Sequence, residues 1–170
     1  VEQRKLDEEC WILADPKEKQ IIESIKDKGR SLGGESGICN INQGVITGAD
    51  KVNGWNIKNI DSDGVNKGDG IFVLSEEELD ELGISPSHEI IRNWCKNSDI
   101  EKWGIEEEKN EYLIYAHENF SLDEYSELEN HFNKLEGALK GRSGKTYGWQ
   151  RIHRPRDPKI FDNDKLVTRY

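Results

Sequence analysis

No run of 18 apolar residues occurs in this 170-residue sequence, which excludes a membrane-spanning helix. The amino end, VEQRKLDEECWILADP, has neither an apolar signal-peptide core nor an initiator Met, so we expect a segment excised from a longer protein. Cysteine is scarce: Cys10, Cys39 and Cys95 are odd in number, far apart and without C-x-x-C spacing. A disulfide framework is therefore not expected, and a reducing cytoplasm is the expected compartment. The four His, at 88, 117, 131 and 153, form no i, i+4 pair on a helix, so zinc would need ligands from distant segments. Catalytic signatures are missing too: G-x-S-x-G, the P-loop, the dinucleotide-binding glycine fingerprint, H-E-x-x-H, and the Asn/Asp-Pro-Pro-Tyr/Phe loop of methyl transfer. Asp61-Ser62-Asp63-Gly64 fails as a calcium loop, because Val65 and Phe72 fall where oxygen ligands are required. Glu107-Glu108-Lys109 supplies only half of a metal-dependent nuclease signature, in a charged loop.

What is present is charge, and it is unevenly placed. Charged residues make up 34% of the chain, as do apolar ones, and the net charge is −10. That balance predicts a soluble domain with a solvated surface, long enough to bury a core. From Ala138 onward, however, nine Lys and Arg stand against three acids, a surplus of six that leaves −16 on the residues before it. Such asymmetry suggests one face for an anion and another that repels it, or else a basic segment pairing with acidic helices inside the fold.

Local signals place the elements. Asp15-Pro16-Lys17-Glu18 is a capping box with Pro at the first helical position, and Ile21, Ile22 and Ile25 fall on one face before Gly29. Ile38–Ile41 reads as a strand, and Gly44-Val45-Ile46-Thr47-Gly48 as a strand edge where backbone approaches something closely. A turn-rich excursion over 53–70 precedes the apolar strand Ile71–Leu74. Ser75 with Glu78 opens a short helix ending at Gly83, and Ser85-Pro86 predicts another carrying Ile90, Ile91, Trp94 and Cys95. Tyr112–Ala116 reads as a buried strand. Ser121 with Glu124 opens the longest helix, with Leu122, Tyr125, Leu128, Phe132, Leu135 and Leu139 along one face and Phe120 and Tyr125 as a hydrophobic staple. Without regular βαβ alternation, the expected class is α+β, with a mixed, mostly antiparallel sheet and packed helices.

The richest stretch chemically is the last, YGWQRIHRPRDPKIFDNDKLVTRY from Tyr147. Cations interleaved with aromatics on an extended segment suit phosphate and base contacts, because the planar Arg fork bonds guanine or phosphate bidentately. Alternation puts Arg151 and His153 on one face and Arg154 elsewhere. Gly141-Arg142-Ser143-Gly144-Lys145 is either a phosphate clamp or a solvated connection. The sequence stops at Val167-Thr168-Arg169-Tyr170 with no cap or polar tail, which we read as a cut through a domain.

In order, these segments resemble the TaqI-like target-recognition (specificity) domain, found at the carboxyl side of adenine-N6 DNA methyltransferases and in fused type IIG restriction–modification enzymes. The matching features are the entry helix and loop from Trp11-Ile12-Leu13 to Gly33, then Gly44–Gly48, then Ile90–Trp94 with Ser98–Trp103 and Tyr112–Tyr115. The last is Trp149–Asp157 with Ile160-Phe161 and Lys165–Val167. Asn93 replaces the usual Pro, Lys96-Asn97-Ser98 replaces a basic-glycine-basic triplet, and the 53–70 excursion is longer than usual. The resemblance spans nearly the whole chain, 1–170. It implies a module that reads double-stranded DNA, with no catalytic residue, cofactor or metal of its own. An upstream methyltransferase domain, with or without a nuclease, would bind S-adenosylmethionine. The implied contacts are Thr47, Gly48, Arg142, Lys145, Arg151, Arg154 and Arg156, with Trp149 stacking or supporting. A protein-interaction domain using the acidic surface and a small metal-dependent nuclease are the alternatives.

Overall fold

The structure, a computed structural model, describes residues 15–105, 110–144 and 147–168. It divides into two compact units, residues 1–43 and 44–170. The entry segment Trp11–Leu13, the Glu107–Lys109 motif, Lys145 and the terminal Arg169-Tyr170 lie outside the described residues.

In the first unit, helix α1 (Pro16–Lys28) starts as its sequence predicts. Asp15 Oδ1 accepts the Lys17 N–H at 2.7 Å, and the Glu18 carboxylate accepts the Asp15 N–H at 3.2 Å. At its far end the Gly29 N–H donates to Ile25 O at 2.7 Å. The isoleucine stripe is not buried, and Ile21 and Ile25 are exposed. The strand expected over Ile38–Ile41 does not form. The Ile38 and Cys39 amides bond the Ser31 and Leu32 carbonyls instead, too few rungs for a strand.

The second unit is built on a three-stranded antiparallel sheet. Its elements in chain order are β1 (Val73–Ser75), α2 (Glu76–Glu81), β2 (Ile91–Asn93), β3 (Ile100–Glu101), β4 (Gly104–Ile105), β5 (Glu111–Ile114), α3 (Glu129–Lys134), α4 (Glu136–Gly141) and α5 (Lys159–Asp162). The sheet order is β1-β5-β2, with Val73 opposite Leu113 on one side and Ile91 opposite Ile114 on the other; β3 and β4 form a separate hairpin. The class is thus α+β, and the described pairings are antiparallel. β5 takes the centre because Leu113 and Ile114 can be buried against both neighbours. Ser75 and Glu78 form the predicted capping box of α2, and Glu78 also accepts the Gly70 N–H at 2.5 Å, tying the excursion to the helix.

Two expectations fail for non-local reasons. Residues 85–95 are a turn and a strand rather than a helix. Ser85 Oγ caps the Ser87 N–H, and Ile90-Ile91 then pairs with β5, a partner that β-branched side chains fit. The long helix over 121–141 is broken at Tyr125 (φ −134°, ψ 65°) and at Leu135 (φ −101°, ψ 5°), giving two 3-10 turns followed by α3 and α4. Its apolar residues still serve the core: Leu128, Phe132, Leu135 and Leu139 are buried, and the Phe120 and Tyr125 rings stack at 5.4 Å. Phe132 bridges Phe72 and Phe120 at 5.6 and 5.7 Å between ring centroids, burial worth up to about 3 kcal/mol per ring. α4 is seated against the excursion through Gly137, where a Cβ would stand 1.6 Å from the Asn59 carbonyl oxygen.

Candidate nucleic-acid interface

The Gly44–Gly48 segment and the Arg151–Arg156 segment, distant in sequence, run side by side. The Ile46 N–H donates to Arg154 O at 3.1 Å, the Arg154 N–H returns to Ile46 O at 2.8 Å, and the His153 N–H reaches Thr47 O at 3.0 Å. The Arg151–Arg156 segment hangs from the carboxyl end of β5, and Gly44–Gly48 is held through it. The Ile152 N–H donates to Ala116 O at 2.9 Å, and the Tyr115 hydroxyl shares its one proton between the carbonyls of Pro155 (3.0 Å) and Arg156 (2.6 Å). Burial pushes the Tyr115 phenol above its ordinary pKa, so it stays a neutral donor.

Within this frame the candidate residues have unequal positions. Thr47 is buried; its hydroxyl donates to the Asp50 carboxylate and accepts the Ala49 N–H at 3.1 Å, so it shapes the loop. Gly48 has φ +80°, and a Cβ there would lie 2.7 Å from Arg142 Nη1. The Arg142 guanidinium fills that space. Its Nη1 donates to Thr47 O at 2.6 Å, and its Nη2 donates to Trp149 O at 3.2 Å and to Arg151 O. The head also lies 5.1 Å from the Phe72 ring centroid. Burial lowers its pKa to about 10, which leaves it charged at neutral pH.

Arg151 is used in the same way, with Nε on Phe120 O at 2.9 Å and Nη1 on Tyr147 O. Arg156 sits at φ +65° and directs Nε to Gly44 O at 3.3 Å. Trp149 is half-buried against the core, with Lys140 Nζ 5.4 Å from its ring centroid. Arg154 differs: its main chain is fixed by the bridge to Ile46, and its side chain is exposed. Lys145 lies outside the described residues.

Arginines that the sequence offers as anion-binding groups therefore have main-chain carbonyls as partners in three cases. A loop-rich segment has carbonyls that no sheet satisfies, and a planar fork reaches several at once. Sequence reasoning missed Tyr115, whose hydroxyl role depends on a chain end 40 residues away. It also missed Glu111, at the opposite end of β5. Burial alone would raise that carboxyl, but Lys51 Nζ at 2.8 Å and Lys96 Nζ at 2.9 Å hold it below the usual range. No signal within a few residues of Glu111 marks either lysine.

Among the described residues no group of three His, Cys, Asp or Glu could hold a metal ion, and no helix is long and apolar enough to cross a membrane. No protein-family model, curated protein or solved structure matches this chain.

Proposed function

We propose that this chain is a DNA sequence-recognition module, acting in the cytoplasm as the specificity part of an adenine-N6 methyltransferase or fused restriction–modification enzyme. It performs no chemistry itself; the methyltransferase domain of the parent protein carries S-adenosylmethionine. The observation that carries the reading is the pairing of Gly44–Gly48 with Arg151–Arg156, whose ends lie 112 residues apart in the chain. Both segments belong to the resemblance, and their pairing presents an exposed Arg154 from a fixed backbone. The basic surplus after Ala138 agrees with an anionic partner.

The geometry divides the labour among the candidates. Arg154 reads a base edge or grips a phosphate. Arg142, Arg151, Thr47 and Gly48 hold the loop that presents it, Arg156 braces Gly44, and Trp149 supports. Selection from a pool of randomised duplexes, followed by titration of the selected sequence, tests this. Arg154→Ala should cost about 1–3 kcal/mol and relax the preference at one position. Equal affinity and equal selectivity for the variant and the wild type would sink the assignment.

The exposed Ile21 and Ile25 of α1 favour a second reading, a protein-docking module. That reading expects Arg154→Ala to leave function unchanged and Ile21→Lys to abolish it.

A further inference from the structure

Trp103 sits at the tip of the β3–β4 hairpin, in a two-residue turn with Lys102. Its φ of +75° belongs to the left-handed region, the position where such a turn ordinarily takes Gly. A bulky residue there is strained, and strain of this kind persists where something else depends on the side chain. No burial repays it, since Trp103 is 92% exposed, the largest exposure of any aromatic described. Its near neighbour is a cation, with Lys102 Nζ 5.5 Å from the ring centroid. The fold therefore holds a large flat ring away from itself, exposed to solvent with a lysine over it.

Trp55 is built to a similar plan. It is 85% exposed, with Lys58 Nζ 5.7 Å from its ring. Asn53 Oδ1 accepts the Trp55 N–H at 2.8 Å and so fixes the turn that projects it. The two tips share an origin. Lys51, before the Trp55 turn, and Lys96, before the hairpin, converge on Glu111 at the start of β5. The Arg154 segment hangs from the other end of that strand, from Tyr115 and Ala116. Five residues at about 3.4 Å each put these two ends of the strand roughly 17 Å apart.

We propose that Trp103 is a stacking finger for an unstacked nucleic-acid base, a second contact on the same duplex that Arg154 reads. This rests on the DNA-recognition reading above. An aromatic face with a cation beside it is what base stacking requires, and it accepts any base because every base has a π-face. The residues that follow in the sequence, Glu106, Glu107 and Glu108, are acidic and unsuited to gripping phosphate, so the contact is the ring's. A protein hot spot would instead set its Trp among neighbours that exclude water, whereas this ring is flanked in the chain by Lys102 and Gly104.

The experiment compares binding of the full chain, at low salt, to a short labelled duplex and to the same duplex with one abasic site, which leaves a base unstacked. The wild type should prefer the abasic duplex. Trp103→Gly should lose that preference, with a fall in affinity on the order of tenfold to a hundredfold and no change in salt dependence. Because Gly suits φ +75°, its Tm should equal or exceed that of the wild type, which separates this loss from misfolding. Trp103→Phe, which keeps a ring, should restore part of the preference. If the wild type binds and Trp103→Gly binds the two duplexes just as well, the finger is refuted while DNA recognition stands. If the wild type binds neither duplex, both are refuted. A lower Tm for Trp103→Gly with an equal loss on both duplexes assigns the ring to the fold and overturns the proposal.

Discussion

Replacing Arg142 with alanine removes a cation whose head satisfies the carbonyls of Thr47, Trp149 and Arg151 and lies over Phe72. A hydrogen bond to a charged donor is worth about 1.5–3 kcal/mol, so three would sum to roughly 5–9 kcal/mol if none were replaced. These carbonyls belong to loops near the surface, and water entering the vacated space recovers part of that. We therefore expect a loss of about 3–5 kcal/mol, the range for breaking a buried charged network. Against a typical domain stability of about 5–15 kcal/mol this is a large fraction, visible as a drop in Tm of roughly 10–20 °C. Urea denaturation followed by tryptophan fluorescence measures it directly, because Trp149 moves with the network. Arg142→Lys should recover little, since a single ammonium on a flexible stem cannot span three acceptors. A phosphate-binding Arg142 would behave in the opposite way: stability intact, DNA affinity reduced, and lysine restoring it. An unchanged denaturation midpoint for Arg142→Ala would refute the bracing role.

Gly137→Ala should destabilise the second unit by about 3 kcal/mol or more, because the new methyl meets the Asn59 backbone and α4 must lift away; the gain in helix propensity, about 1 kcal/mol, does not offset it. Thermal melts of the variant and the wild type check this. His131 donates Nε2–H to Ile71 O at 2.9 Å, and burial holds its pKa below the ordinary 6.5. In the acid range the unfolded chain thus binds the proton more readily than the folded one. The His131 contribution is complete above pH 6.5 and is lost as pH falls through the lower, folded value. Replacing His131 with Gln should flatten the dependence of Tm on pH in that window, and an unaltered slope would remove His131 as its source.

The helix starts at Asp15 and Ser75 were legible because a capping box is closed by residues three positions apart, and the strands around Leu74 and Leu113 because their apolar runs need no knowledge of the partner. The apolar residues after Ser121 were legible as core but not as a broken helix. The spacing of Leu128, Phe132 and Leu139 is the same either way, and the chain broken at Tyr125 and Leu135 sets Phe132 between Phe72 and Phe120. Ile90-Ile91 shows the same limit, since a short apolar pair suits a helix or a strand until β5 offers an edge. The arginines show it most clearly. Their chemistry as planar, permanently charged donors was set by the sequence alone, as was their clustering near the carboxyl end. Whether each fork meets a ligand or a carbonyl was decided by tertiary structure, because the Thr47 carbonyl that Arg142 holds lies 95 residues away, beyond the reach of any local signal. Arg154 remained outward for the same reason: its backbone, not its side chain, is what the fold engaged.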